Sequence, residues 1–241
     1  MPFHPKIAPE IFALRPDFTA LSLYVQGVAN RPSDEASAQS LAQAIAAMDV
    51  VPWADAHLEA WRETYRAFGA KPNRTPSSVE ALRKRALRDG QLRPTNAVVD
   101  LYNAVSLRYA VPVGGEDVRG YQSPPTLRRA SGTEPFDTMA EGAPKMETPD
   151  PGEVIWCDAG GVTCRRWNWR QGVRTQINDN TRDMWFVLER LGPMPTEALI
   201  AAGSELAHGL WRLSPAAVIA ASLFDTARPE GAAIDLLPQG R

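Results

Sequence analysis

The periodicity of apolar and polar positions divides this chain into elements before any single residue stands out. "FALRPDFTALSLYVQGV" ends in the run Ala20 to Val28, whose length and apolar content predict a strand. "SDEASAQSLAQAIAAM" changes to a helical period, with Ser33 and Asp34 as cap candidates. Pro52 opens a second helix, "WADAHLEAWRETYRAFG", on which Trp53, His57, Trp61, Tyr65 and Phe68 recur at helical spacing and Gly69 suits the end. That stripe reads as packing, and His57 on it as a satisfied core histidine. In "TPSSVEALRKRALRDGQ", Ser77 and Glu80 have capping-box spacing, Val79, Leu82 and Ala86 form the apolar stripe, and Gly90 supplies a stop. A fourth helix, "NAVVDLYNAVSLRYA", follows Pro94 with Asn96 as its cap.

Beyond the helices the pattern shortens. "VPVGGEDVRGYQ" reads as a glycine-bearing turn with two carboxylates, and the stretch from Gly120 to Pro151 is rich in Pro, Gly, Ser and Thr, with one strand-like piece at Thr126 to Ala130. "EVIWCDAGGVTCRRW" predicts a hairpin turning at Gly160-Gly161, which would set Cys157 opposite Cys164. "DMWFVLERLG" reads as a buried strand and "TEALIAAGSELAHGLWRL" as an amphipathic helix, with a loose tail expected after Arg228. The succession implies a mixed α/β unit carrying a C-terminal helix.

Composition narrows the function classes. The 241 residues, 44% hydrophobic and 22% charged, suit an ordinary globular chain, and no apolar run approaches the roughly 20 residues of a membrane span. The N-terminus lacks the plan of a secretory signal, so a cytoplasmic protein with no membrane partner is expected. Two cysteines make neither a disulfide scaffold nor a zinc site unaided, and two buried thiols are the expected state. His4, His57 and His208 show no metal-binding spacing, and neither a phosphate loop nor a dinucleotide fingerprint occurs, so no metal or cofactor is expected.

Charge is unevenly placed. The formal net charge is −2, yet Arg62 to Arg93 carries nine Lys/Arg against three Asp/Glu, whereas Met1 to Trp61 carries three against seven. Arg83, Lys84 and Arg88 on the third helix are therefore candidate RNA contacts, against the plainer reading of a solvated helix face. A second concentration lies in "TCRRWNWRQ". As a strand, it would place Arg165, Trp167 and Trp169 on one face and Arg166, Asn168 and Arg170 on the other. It is either a half-buried strand or a stacking platform whose guanidinium groups meet phosphates. "GGED" at 114–117 combines backbone that a ligand can approach closely with paired acids, against the reading of a solvent-exposed turn.

Three long stretches, "RAFGAKPNRTPSSVEALRKRALRDGQLRPTNAVVDLYNAVSLRYAVPVGGEDV", "PGEVIWCDAGGVTCRRWNWRQGVRTQI" and "NDNTRDMWFVLERLG", resemble stand-alone B3/B4 domain proteins. These are free-standing relatives of the tRNA-editing domain in the phenylalanyl-tRNA synthetase beta subunit. The resemblance covers about residues 20 to 192. It implies an α+β fold, a three-layer β/β/α sandwich of the B3/B4 type with an added C-terminal helix. The implied division is residues 1–192 as the B3/B4-like domain and 193–241 as a helical extension and tail.

The implied pocket receives the aminoacylated 3′ end of a tRNA. In the synthetase it hydrolyses tyrosine wrongly attached to the phenylalanine tRNA. Within "VVDLYNAV", Asn103 is retained while Tyr102 stands where the family has threonine; Pro112 and Val113 match, but Gly114 replaces a pocket histidine. Gln171 falls near the family's substrate-selecting glutamate, and Trp167 and Trp169 replace small glycines. A tyrosine hydroxyl would lose its charge-assisted partner at Gln171, so another aminoacyl group is expected.

The resulting expectation is a trans-acting deacylase of misacylated tRNA. Gly114, Gly115, Glu116 and Asp117 are assigned to catalysis, the glycine N–H groups to the oxyanion and the acids to water or the α-ammonium. Tyr102, Asn103, Trp167, Asn168, Trp169 and Gln171 are assigned to substrate, and Arg83, Lys84, Arg88, Arg166 and Arg170 to RNA. The alternative is a non-catalytic module that binds tRNA or an amino acid. The sequence sets no oligomeric state.

Overall fold

A computed structural model describes residues 3–237. Strand β1 (Lys6–Ile7) and helix α1 (Pro9–Leu14) lead into the long strand β2 (Thr19–Gln26). Four helices follow: α2 (Glu35–Ala47), α3 (Ala54–Ala67), α4 (Ser78–Asp89) and α5 (Ala97–Tyr109). Their starts follow the side chains that cap them. Asp34 accepts from the Ser37 amide, Ser77 from that of Glu80 and Asn96 from that of Val99, each satisfying an otherwise unpaired first-turn donor. Gly90 ends α4 at φ 66°, a left-handed conformation in which glycine carries no Cβ penalty.

Next come β3 (Val113–Asp117), β4 (Thr126–Arg129), the hairpin β5 (Phe136–Ala140) and β6 (Ala143–Glu147), then β7 (Val154–Asp158), β8 (Gly161–Arg165) and the short β9 (Arg170–Gln171). The chain closes with β10 (Met184–Arg190), helix α6 (Thr196–Leu213), β11 (Val218–Asp225) and β12 (Arg228–Ile234). One five-stranded sheet has the order β1-β4-β7-β8-β9 and the other β12-β11-β2-β10-β3. The sequence from Arg228, expected to be loose, is instead strand paired antiparallel with β11, because its main-chain groups complete the sheet edge. Residues 238–241 of that tail lie outside the described residues.

Strand alternation builds the layers. On β10, Met184, Phe186 and Leu188 turn to one face and pack with Leu21, Leu23 and Val25 of β2 against Val105 of α5 and Leu199, Leu206 and Leu210 of α6. The opposite residues, Trp185 and Val187, enter a second core with Ala20, Leu127, Val154, Trp156, Trp61 and Trp167 between the two sheets. The result is the three-layer β/β/α sandwich. Both faces of β10 are covered, which is why "DMWFVLERLG" reads as a continuous apolar run.

His57 is fully buried and satisfied. Its Nδ1 bonds the Ala110 carbonyl at 2.8 Å, while Nε2 accepts from Trp61 Nε1 at 3.2 Å and from the Leu191 amide at 3.1 Å. Burial accordingly lowers its pKa to about 4. The cysteines do not face each other. A bulge at Thr163, between the Trp156–Cys164 and Cys157–Val162 pairs, shifts the register, and Asp158 opposite Gly161 makes Ala159 and Gly160 the turn. Both thiols are free.

Candidate functional site

The strand expected through "CRRWNWRQ" stops at Arg165. Arg166 and Trp167 take left-handed φ values of 49° and 67°, so the predicted alternation of faces is lost. Such conformations cost about 1–3 kcal/mol each in non-glycine residues and persist only where the surroundings over-determine them. Here they are over-determined. The Trp167 amide donates to the Val154 carbonyl at 2.6 Å, and that of Arg166 to Glu153 Oε1 at 3.0 Å. The Trp167 indole packs edge-on against Phe18 (4.9 Å) and Trp61 (5.3 Å). Arg165 is held by Glu153 through bonds of 3.0 and 2.7 Å. The next residue, Asn168, accepts the Ser78 amide on its carbonyl at 2.9 Å, joining the turn to the start of α4.

This turn closes a cavity of about 200 Å³ between the sheets. Tyr102 and Asn103 from α5, Gly114, Gly115 and Glu116 from β3, and Trp167 to Gln171 from the turn and β9 all line it. These segments are far apart in sequence, and the fold alone brings them together. Val113, Trp156, Cys164, Val187, Ser78 and Glu189 complete the wall. A second recess of about 220 Å³ shares Ser78, Asn103, Val113 and Trp169 with the cavity and leads outward past Leu82 to Arg85.

Two buried carboxyls dominate the electrostatics. Glu116 is pushed up to about 7 by burial, opposed by the hydrogen bond from the Tyr121 hydroxyl. Glu189 is also pushed up to about 7 by burial, opposed by the Asn168, Trp156 and Trp167 donors on its oxygens, with the Glu116 charge reinforcing the rise. Burial likewise raises the Cys164 thiol well above its ordinary range. Asn103 makes no side-chain hydrogen bond among the described residues, so its amide faces the cavity uncommitted. Gln171 is committed: its amide nitrogen donates to the Gly115 and Thr175 carbonyls, each at 3.0 Å.

"GGED" is a strand at the sheet edge rather than a turn, because β10 supplies its partner. The Glu189 amide donates to the Pro112 carbonyl at 3.2 Å, and ladder alternation then directs the Gly114 N–H at β10 and the Gly115 N–H away from it. The two amides therefore do not converge on one point. Asp117 lies off the cavity wall. It accepts from the Arg119 amide at 2.9 Å and the Thr181 hydroxyl at 2.7 Å, holding the chain after β3.

The basic residues are mostly paired. Arg83 is buried, donating to the Met48 carbonyl at 2.9 Å, so it does not belong to an open basic face. Lys84 pairs with Glu80 at 2.6 Å and Arg88 with Asp89 at 2.7 Å. Arg166 lies 3.6 Å from Glu153 and 4.4 Å from the centre of the Trp169 ring, and Arg170 donates to the Met139 carbonyl at 2.9 Å. Arg85, which the sequence does not distinguish from its neighbours, is exposed and has no hydrogen bond or ion pair among the described residues. Glu189 had a legible signal: a carboxylate inside a buried strand is rare unless it is partnered.

A family model for the B3/4 domain matches residues 60–200. Among solved structures, an N-terminal fragment of the phenylalanyl-tRNA synthetase beta-subunit from Pyrococcus horikoshii is similar at 12% identity and a TM-score of 0.48. The similarity covers 98% of this chain and 55% of that one, so this chain spans about half the fragment's length. No curated protein matches. Among the described residues, no helix is long and apolar enough to cross a membrane.

Proposed function

Because this chain belongs to the B3/4 domain family, we propose that it acts in trans on aminoacylated tRNA, hydrolysing the ester at the 3′ end of misacylated species. The observation that carries this reading is the meeting of Tyr102–Asn103, Gly114–Glu116 and Trp167–Gln171 around one cavity of aminoacyl size. Ligand sites are typically concave, mostly apolar and supplied with a few placed polar groups.

In this reading the acyl group enters between the sheets and the terminal ribose stays in the outer recess by Ser78, Asn103 and Trp169. The free Asn103 amide holds the substrate. The Gly115 N–H, unlike that of Gly114, has no ladder partner on β10 and is the main-chain donor for the developing oxyanion. Glu116, with a carboxyl near pH 7, is matched to accept a proton from the attacking water and return it to the departing ribose oxygen. Arg85 at the recess and Arg170 beside Trp169 meet phosphates; the paired Lys84, Arg88 and Arg166 are secondary.

The deciding measurement is release of amino acid from a panel of aminoacyl-tRNAs, mischarged and correct, by wild type, Asn103→Ala and Glu116→Gln. Selective release that both variants lose supports the reading; no release from any member of the panel sinks it. One observation favours the alternative of binding without turnover: the Gly114 amide is committed to the ladder, which leaves a single main-chain donor where hydrolytic sites usually converge two. Saturable tRNA binding without release would establish that alternative.

A further inference from the structure

One carboxylate on the cavity wall is held in an unusual manner. Glu189 is the third inward-facing residue of β10, after Trp185 and Val187, and only 1% exposed. Its Oε1 accepts the indole N–H groups of Trp156 at 3.0 Å and Trp167 at 3.1 Å, and its Oε2 accepts the Asn168 amide at 3.0 Å. The Tyr65 hydroxyl donates to the other end of that amide, Asn168 Oδ1, at 2.8 Å, which keeps its nitrogen toward Glu189. An indole N–H can only donate, so three neutral donors converge on one carboxyl and favour its ionised form.

Ionisation in a dry site calls for a counter-charge, and the protein provides none at Glu189. No Lys, Arg or His among the described residues forms an ion pair with it. Glu116, the second acid on the wall, receives the Tyr121 hydroxyl. The charge of Arg174 reaches Glu116, but Arg174 is itself paired with Asp158. Two acids therefore line one small cavity whose one lining cation, Arg170, donates to the Met139 carbonyl and forms an ion pair with neither of them.

The cavity walls select among cations. Trp156, Trp167 and Trp169 line the cavity with indoles, and aromatic surroundings attract organic cations. A hard divalent ion needs a nearly complete oxygen shell, and among the described residues no three His, Cys, Asp or Glu side chains group to hold a metal ion. A guanidinium seeks two in-plane carboxylate lone pairs, and three donors already occupy those of Glu189. A compact ammonium needs only one remaining contact. We propose that Glu189, assisted by Glu116, recognises a primary ammonium on the ligand, the α-ammonium of an aminoacyl group, in the part of the inter-sheet cavity not shared with the outer recess. The inference rests on reading this cavity as the ligand site, and not on hydrolysis.

The test uses pairs of amides that differ in charge but hardly in shape. Alaninamide and phenylalaninamide are compared with lactamide and 3-phenyllactamide on the full chain. The titration is run at neutral pH, below the α-amino pKa of about 7.7–8.0. Indole N–H resonances of the tryptophans are followed in nitrogen-correlated spectra. The expected result is at least about tenfold tighter binding of one or both amino amides, a difference of about 1.4 kcal/mol, with indole N–H shifts that their hydroxy counterparts do not cause. Glu189→Gln, checked by thermal melting, should bring the ratio close to one. If that variant fails to fold, the wild-type ratio decides alone. Equal binding of charged and neutral members overturns the proposal. Failure of all four probes beside continued release from aminoacyl-tRNA overturns it while leaving hydrolysis standing. Charge-selective binding without release keeps the ammonium site and removes the catalytic reading.

Discussion

The amide of Asn168 and the carboxylate of Glu189 meet at 3.0 Å across the space between the two sheets. Asn168 belongs to a turn with left-handed backbone and Glu189 to the strand β10, paired on both sides by β2 and β3, so this bond ties an irregular segment of the site to a regular one. Asn168→Ala removes it together with the Tyr65 bond. Hydrogen bonds to charged groups contribute about 1.5–3 kcal/mol, and a loss of that size is expected in urea unfolding. A loss below about 0.5 kcal/mol, the scale of an ordinary surface change, would mean the turn is held by its tryptophan packing alone.

The acids of the cavity set a pH dependence whose sign follows from their direction of shift. Glu189 is held near 7 in the folded chain, above its ordinary value of 4.5, so the native state binds the extra proton between those limits. Its contribution is fully present below about 4.5 and is lost as pH rises through about 7. Glu116 runs in the same direction, while His57, lowered to about 4, loses its contribution as pH falls from 6.5 through about 4. The difference between wild type and Glu189→Gln isolates the first group. Relative to wild type, the variant should gain stability as pH rises from 5 to 8, by on the order of a few kcal/mol. A difference curve that is flat across that range would place Glu189 at its ordinary pKa.

Arg83 and Arg85 are two positions apart on α4 and are expected to behave oppositely. Arg83→Ala strands the Met48 carbonyl and should destabilise the fold by about 1–3 kcal/mol without altering the salt dependence of tRNA binding. Arg85→Ala should leave the melting temperature unchanged and reduce the salt slope of binding by about 1. Filter binding at several salt concentrations, beside thermal melts, checks both. A reduced slope in Arg83→Ala with Arg85→Ala unchanged would mean RNA approaches from another face.

Adjacent glycines on β3 provide a contrast in packing. A Cβ on Gly115 would lie 2.9 Å from the rings of Phe186 and Tyr102, whereas on Gly114 it would meet only Val187 at 3.4 Å. Gly115→Ala should overpack the helix-side core and cost about 1–3 kcal/mol. Gly114→Ala should cost much less stability, yet weaken ligand binding because its methyl group projects between the sheets. Chemical unfolding and amino amide titration of both variants test the pair. Equal stability losses would show that the inter-sheet side is packed as tightly as the helix side.

What the sequence determined by itself is what short-range chemistry governs. Caps at Asp34, Ser77 and Asn96, the stop at Gly90 and the stripe from His57 to Phe68 follow from spacings of three and four residues. The apolar run of "MWFVLER" marked a strand covered on both faces. The long motifs also pointed to residues that line one cavity, since Asn103, Gly115 and Trp169 carry chemistry legible in isolation. Only the tertiary structure decided what each polar group points at. The same run of basic residues contains the buried Arg83 and the open Arg85, because helix rotation against α2 and α5 sets which guanidinium meets a carbonyl and which meets water. Strand alternation failed at Arg166 and Trp167, because the pull of the inter-sheet core on one indole outweighed the local strand preference of the backbone. The role of Glu189 was hidden for the same reason: its partners arrive from residues 156, 167 and 168, and contacts across that distance in sequence exist only once the two sheets have closed.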